Sequence, residues 1–198
     1  MGKNIFVLSG AGISKESGIP TFRDCKDGLW HKYKIDEVAS PKGWRKDPQK
    51  VLNFYNERRT EVQKCVPNDG HYYLSKLQDY FNVNIYTQNV DDLHERAGSK
   101  NVFHLHGNIT QARSVCDDEH IVDIGYNDIK LGDKHEDGGQ LRPHIVFFDE
   151  FIYFEEEAAQ AVKESDIVIA IGTSLCVYPA AHLPLGRKAG VPFYIVDP

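Results

Sequence analysis

Three short apolar, β-favouring runs in this chain each end in a small polar or glycine-rich turn, and that recurrence limits the possible folds more than any other feature. Ile5 to Leu8 runs into Ser9-Gly10-Ala11-Gly12, Phe81 to Tyr86 into Thr87-Gln88-Asn89, and Ile167 to Ile171 into Gly172-Thr173-Ser174. A fourth run, Val191 to Val196, follows a Gly-Val-Pro turn. Helical patterns lie between them. Asp47 to Val62 carries Val51, Leu52, Phe54 and Tyr55 on one stripe with Pro48 as a starter, and His71 to Leu77 and Phe154 to Lys163 are further helices. Strands alternating with helices predict an α/β fold with a doubly wound parallel sheet, helices on both faces. In such a sheet the turns after the strands gather at one edge, where ligands bind. Residues 111 to 141 interrupt the pattern. They are rich in Asp, Glu, His and Gly, and read as an insertion or mobile loop outside the core.

Composition narrows the function. The 198 residues suit one domain with a sizeable core. With 23 Lys and Arg against 29 Asp and Glu the formal charge is −6, which disfavours broad binding to nucleic acid or to an anionic membrane. No apolar run approaches the ~18 residues of a membrane span. The N-terminal apolar stretch of about five residues is too short for a signal peptide. The four cysteines, at positions 25, 65, 116 and 176, form no CxxC pair. A disulfide scaffold and a four-cysteine zinc ribbon are therefore unsupported, and a reducing, cytoplasmic location is expected.

Gly10-Ala11-Gly12-Ile13-Ser14 reads equally as a phosphate-binding turn and as a structural one. It is not the full GxGxxG fingerprint, and no P-loop is present. Gln88-Asn89-Val90-Asp91 offers paired donors and acceptors for ribose hydroxyls and amides, or simply a helix cap. His104 and His106 are each candidates for a general base, against the plainer alternative of a hydrogen-bonded structural histidine.

Taken together, these segments resemble the sirtuin family. Gly10 to Arg23 (GAGISKESGIPTFR) resembles its GAGxSxxSGIPxFR signature, Thr87 to His94 (TQNVDDLH) its TQNxDxLH motif, His106-Gly107 its catalytic HG, and Gly172 to Pro179 (GTSLCVYP) its GTSLxVxP. The resemblance runs in order from residue 10 to 179 and implies a single NAD-dependent protein-lysine deacylase domain over 1–198. A Rossmann-like NAD-binding core would carry a reduced small module at about 25–70 and 108–145. It further implies that Gly10, Ala11, Gly12, Ile13 and Ser14 hold the diphosphate. Phe22 and Arg23 would lie on a loop covering the nicotinamide ribose, with Thr21 and Trp30 also among the cofactor contacts. Gln88, Asn89, Val90 and Asp91 would orient nicotinamide and its ribose, with Asn89 close to the chemistry, and Gly172, Thr173 and Ser174 would touch riboses or phosphates. His106 would be the general base. In the implied reaction the acyl oxygen of a modified lysine attacks the anomeric carbon and nicotinamide leaves. A neutral imidazole then takes a proton from a ribose hydroxyl, which attacks the imidate carbon, and water finally releases deacylated lysine and acyl-ADP-ribose.

Phe54 to Arg59 (FYNERR) resembles the segment in which some sirtuins carry a Tyr-x-x-Arg pair for malonyl and succinyl groups. Tyr55 and Arg58, one helical turn apart, would supply a phenol donor and a guanidinium for such a carboxylate. The plainer alternative is a core tyrosine and a solvated arginine. Leu141 to Glu150 looks like the family's peptide-docking strand, usually ending VxFGE. Val146, Phe147, Phe148, Asp149 and Glu150 would then line the acyl-lysine path, with Asp149 in place of the usual Gly.

Two departures stand out. The interval from Gly107 to Phe148 holds only Cys116 where the family usually has four zinc cysteines, so no zinc is expected, and Cys116, His120 and His135 form at best a weak alternative metal set. Family members usually continue past the position of Asp197, which stands where Asn is usual. Either the chain is a fragment or the adenine end is open, and the Asp197 carboxylate could still accept from a ribose diol. The expected partner is an acylated-lysine protein or peptide, with neither nucleic acid nor membrane, and the sequence leaves the oligomeric state open. The competing readings are an ADP-ribosyltransferase or NAD glycohydrolase on the same fold, and a non-catalytic NAD or ADP-ribose sensor.

Overall fold

The computed structural model describes residues 2–21, 33–117 and 119–197. Among them five parallel strands form one sheet in the order β3 (Val102–His104), β2 (Asn82–Thr87), β1 (Asn4–Ser9), β7 (Ile167–Ile171) and β8 (Phe193–Val196). The central strand alternates its side chains between two buried faces, which is why it reads as a continuous apolar run. Ile5 and Val7 join Leu74 of α4 (Asp69–Leu77) on one face. Phe6 and Leu8 join Ala158 and Val162 of α6 (Glu155–Glu164) on the other. The sheet and its covering helices thus follow the sequence pattern.

The chain moves outward from β1 through β2 to β3, then returns to the other side of β1 as β7 and β8. The direction of winding therefore reverses between β1 and β7, and the crevice beyond their C-terminal ends is the ligand edge of such a sheet. In-register pairing sets Ser9, Thr87 and His104 side by side across three strands at that edge, with Ile171 opposite Ser9 on the far side.

The stretch from 111 to 141 departs from expectation. It is no loose loop. β4 (Gly107–Ser114) pairs antiparallel with β5 (Ile121–Asp123) and β6 (Leu141–Ile145) in a second sheet. Ile129, deep in the polar tract, packs with Leu52 and Ala112. The Asn56 side chain of α3 (Pro48–Lys64) fastens it, donating to the Ile129 carbonyl (2.9 Å) and accepting from its N–H (3.1 Å). Farther out, the Asp137 carboxylate accepts from the Ser114 hydroxyl (2.9 Å) and the Gly139 N–H (2.8 Å). Few apolar residues are needed because side-chain-to-backbone bonds close the turns, a device invisible to hydrophobic periodicity.

Helix α3 starts where the sequence places it. Asp47 caps it, accepting from the Lys50 N–H at 3.0 Å, and Pro48 occupies the first turn. Its buried stripe of Val51, Phe54, Tyr55 and Val62 packs on Leu93, Ile109, Ile145 and Phe147, joining the two sheets beside the ligand edge.

Candidate active site

The turns after β1 and β7 meet backbone to backbone. The Gly10 N–H donates to the Ile171 carbonyl (3.0 Å) and the Gly12 N–H to the Gly172 carbonyl (2.8 Å). A Cβ on Gly172, whose φ is +60°, would lie 2.1 Å from the Ile13 nitrogen, and one on Gly12 2.7 Å from the Gly172 oxygen. These glycines are needed first for the two turns to touch, and the amides of Gly10 and Gly12 are engaged in that contact. Ala11 to Ser14 then form a single 3-10 turn with Ile13 and Ser14 buried.

Ser14 is the hub of a buried network. Its hydroxyl donates to Asp91 Oδ2 (3.0 Å) and accepts from Asn89 Nδ2 (3.1 Å), which also donates to the Gly10 carbonyl (3.1 Å). The second Asp91 oxygen accepts from the Leu93 N–H (3.2 Å). Burial raises the Asp91 pKa, against the opposing effects of these bonds and of His104 and Arg58. Gln88 joins the segments that follow β3 and β7: its main-chain carbonyl meets His106 Nδ1 at 2.9 Å, and its side-chain oxygen accepts from the Thr173 hydroxyl at 2.8 Å.

His106 and His104 differ by environment. A carbonyl can only accept, so His106 Nδ1 carries the proton in its bond to Gln88 and the Nε2 lone pair is left as the basic atom. Burial lowers the His106 pKa and the Gln88 bond only partly opposes this, so the imidazole is held neutral. His104 is also buried, but its Nδ1 meets the Asn89 carbonyl (2.9 Å) and its Nε2 the Glu95 carboxylate (2.7 Å). Burial works against charge there, and Glu95 and the Asn89 carbonyl together override it, raising the pKa. With both nitrogens engaged, His104 is the structural histidine of the two.

The Tyr55 ring stacks on Phe147, with centroids 6.1 Å apart. Burial pushes the Tyr55 phenol well above its usual pKa, so it keeps its proton. Arg58 is half-buried one turn on, close enough for its charge to be felt by both Tyr55 and Asp91. The β6 segment reaches the base directly, since the Val146 N–H donates to the His106 carbonyl at 2.9 Å. Phe147 is buried, Phe148 is about half exposed, and exposed Asp149 sits at φ 74°. That left-handed backbone is glycine's natural territory. The Glu150 carboxylate points into the protein, where it takes bonds from Arg142 (2.8 Å), Arg113 (3.1 Å) and the Phe147 N–H (2.8 Å).

Ser174 and Asp197 are exposed at the same sheet edge, and Thr21 and Val90 are half-buried. The Gly172 N–H bonds to the Val196 carbonyl (2.9 Å), which brings Asp197 beside the Gly172 turn. Phe22, Arg23 and Trp30 lie outside the described residues. Among those described, no group of three or more His, Cys, Asp or Glu side chains is placed to hold a metal ion. His120 instead pairs with Asp117 (2.6 Å) and stacks on His135 at 5.8 Å.

Sequence reasoning missed the layer beneath. Ser9 donates to Thr87 Oγ1 (2.9 Å) and meets His94 Nε2 at 2.9 Å, while His71 Nε2 approaches Ser14 Oγ at 3.4 Å. The His71 and His94 rings lie 5.0 Å apart. Burial pushes their pKa values down to about 4 and about 3. Both histidines are buried on helices, His71 one turn before Leu74 and His94 next to Leu93, and a polar residue on a helix's buried face is the sequence signal for this layer.

Comparison with known proteins gives the family. The Sir2 family profile matches residues 10–179. The NAD-dependent protein deacylase of Helicobacter pylori (strain ATCC 700392 / 26695) is 52% identical over 196 residues, covering 99% of this chain and 85% of that protein. That of Bacteroides thetaiotaomicron is 48% identical over 201 residues, covering 99% and 86%. Among solved structures, a Sir2 homolog–NAD complex superimposes with a TM-score of 0.86 at 39% identity, covering 98% of this chain and 77% of that one. Sir2 bound to acetylated peptide gives 0.80 at 31% identity, covering 99% and 82%. The chain belongs to the Sir2 family.

Proposed function

We infer that this protein is an NAD-dependent protein deacylase acting on acylated lysine, and propose that it accepts acidic acyl groups such as succinyl and malonyl. The observation that carries the reading is His106, held neutral with Nδ1 bonded to the Gln88 carbonyl and Nε2 left basic, at the edge where the sheet reverses its winding. The donor set suits NAD. Hydroxyl, amide and carboxylate groups of Ser14, Asn89 and Asp91 are interlinked, and Gln88 and Thr173 are paired, around the touching glycine turns, the mixture that ribose hydroxyls and a carboxamide require. Bound NAD supplies a labile nicotinamide–ribose bond and the ribose hydroxyls.

The residues of this chain divide the remaining work. His106 Nε2 takes a proton from a ribose hydroxyl, which its neutral state permits. Asn89 and Asp91 orient the nicotinamide end, and Ser14 fixes both by bonding to each. Val146 and Phe147 guide the acyl-lysine past the base. Tyr55 donates a phenolic hydrogen bond and Arg58 offers a guanidinium to an acyl carboxylate.

The test is mass spectrometry of products from NAD with succinyl- and acetyl-lysine peptides. O-acyl-ADP-ribose supports deacylation; a modified peptide points to ADP-ribosyl transfer, free ADP-ribose alone to hydrolysis, and unchanged NAD to a sensor. Arg58→Met should lose succinyl turnover by about 100-fold or more while acetyl turnover changes far less. Equal losses on both substrates would remove the acyl preference and leave the deacylase reading intact.

A further inference from the structure

Behind Phe147 lies a buried charged cluster that the proposed reaction does not use. The Arg142 guanidinium sits 3.8 Å from the centroid of the Phe147 ring. The Tyr55 ring stacks on Phe147 as well. Glu150 holds Arg142 in place: one carboxylate oxygen accepts from Arg142 Nη1 (2.8 Å), and the other from Arg142 Nη2 (3.2 Å), Arg113 Nη2 (3.1 Å) and the Phe147 N–H (2.8 Å). Arg142 Nη2 also donates to the Ile145 carbonyl at 3.0 Å. Phe147 is thereby fixed twice, its ring by a planar cation and its backbone by the carboxylate that holds that cation. Arg142 and Glu150 are both close enough to act electrostatically on the Tyr55 phenol.

We propose that Arg142 and Glu150 are positioning residues for acyl selection, acting through Phe147 and Tyr55 on the wall of the acyl-lysine path. The inference rests on the deacylase reading above. Two properties separate this role from generic core stability. A planar guanidinium can stack on an aromatic face and fork onto a carboxylate at the same time, and an ammonium cannot. The cluster also packs on Phe147 and Tyr55, assigned above to the acyl-lysine, whereas the Ser14–Asn89–Asp91 network bonds to the Gly10 turn, assigned to the cofactor. Disturbing Arg142 should therefore alter recognition of the acyl-lysine and spare that of NAD.

The test compares wild type with Arg142→Lys, Arg142→Met and Glu150→Gln, measuring KM for NAD, for an acetyl-lysine peptide and for a succinyl-lysine peptide, with thermal unfolding in parallel. In Arg142→Lys, which keeps a charge for Glu150 and loses the stack, KM for the acyl peptides should rise about 10-fold with a changed succinyl-to-acetyl ratio and an unchanged KM for NAD. Glu150→Gln, which keeps the shape and releases Arg142, should shift the same constants in the same direction. If Arg142→Met fails to fold, the other two variants decide the matter. Folded variants with wild-type acyl-peptide KM values and ratio, or with KM for NAD rising equally, would overturn the positioning role while leaving the deacylase reading standing. Absence of acyl-peptide turnover in the wild type would overturn both.

Discussion

The main-chain carbonyl of Gln88 stands 2.9 Å from Nδ1 of His106, and the side chain of the same glutamine accepts a bond from Thr173 at 2.8 Å. One residue at the end of β2 thus sets the tautomer of the proposed base and links it to the turn after β7. A carbonyl partner fixes which nitrogen carries the proton and adds no negative charge that would favour the imidazolium. The Glu95 carboxylate does the opposite to His104 two residues earlier.

Replacing the base should remove the chemistry and leave the cofactor site. His106→Ala should lower acyl-peptide turnover by about 100-fold or more while NAD affinity, measured by calorimetry, changes little. Turnover near that of the wild type in this variant would end the assignment of His106.

The pH–rate profile should report the depressed His106 pKa. A base works only when deprotonated, and burial keeps this one neutral below the ordinary histidine value of 6.5. The acid limb of kcat/KM should therefore fall below pH 6.5. A limb centred above that value would show that the free enzyme's base is not this imidazole.

Acid should destabilise the fold through His71 and His94. Their folded values of about 4 and about 3 lie below the ordinary 6.5, so the unfolded chain binds protons that the native state refuses. Stability from these groups is fully present above pH 6.5 and declines as pH falls toward the folded values. The limiting slope is about 1.4 kcal/mol per pH unit for each. His71→Gln should flatten the decline by roughly one proton in denaturant titrations across that window. An unchanged slope would contradict the linkage.

Gly172→Ala should be among the more damaging single-methyl changes in the molecule. It places a Cβ 2.1 Å from the Ile13 nitrogen at a position with φ +60°. A loss of about 2–4 kcal/mol in unfolding free energy is expected, together with weaker NAD binding as the two turns separate. Gly125 has positive φ but open space around it, so Gly125→Ala should cost only the backbone strain.

The central strands and the long α3 were legible in the sequence because the burial that shapes them is local and periodic. β1 alternates between two buried faces, and Asp47-Pro48 starts α3 by its own chemistry. The same logic failed from 111 to 141, where turns closed by Asp137 and the Asn56 clamp on Ile129 do the work of apolar residues. Side-chain bonds to the backbone, whether across a two-residue turn or between residues 73 apart, leave no periodic trace.

The sequence by itself determined the α/β class, the edge at which the polar turns collect, and, through motif resemblance, the candidate residues there. Only the tertiary structure decided what each of them does. His104 and His106 are two residues apart and chemically identical, yet one meets a carboxylate and the other a carbonyl. Gly10, Gly12 and Gly172 read as phosphate contacts, yet their first task is to let two turns touch. Glu150 reads as a wall of the peptide path, yet its carboxylate faces inward onto two arginines. A side chain's charge, tautomer and role depend on which distant groups the fold brings within about 3 Å of it, and that proximity exists only once the chain has folded.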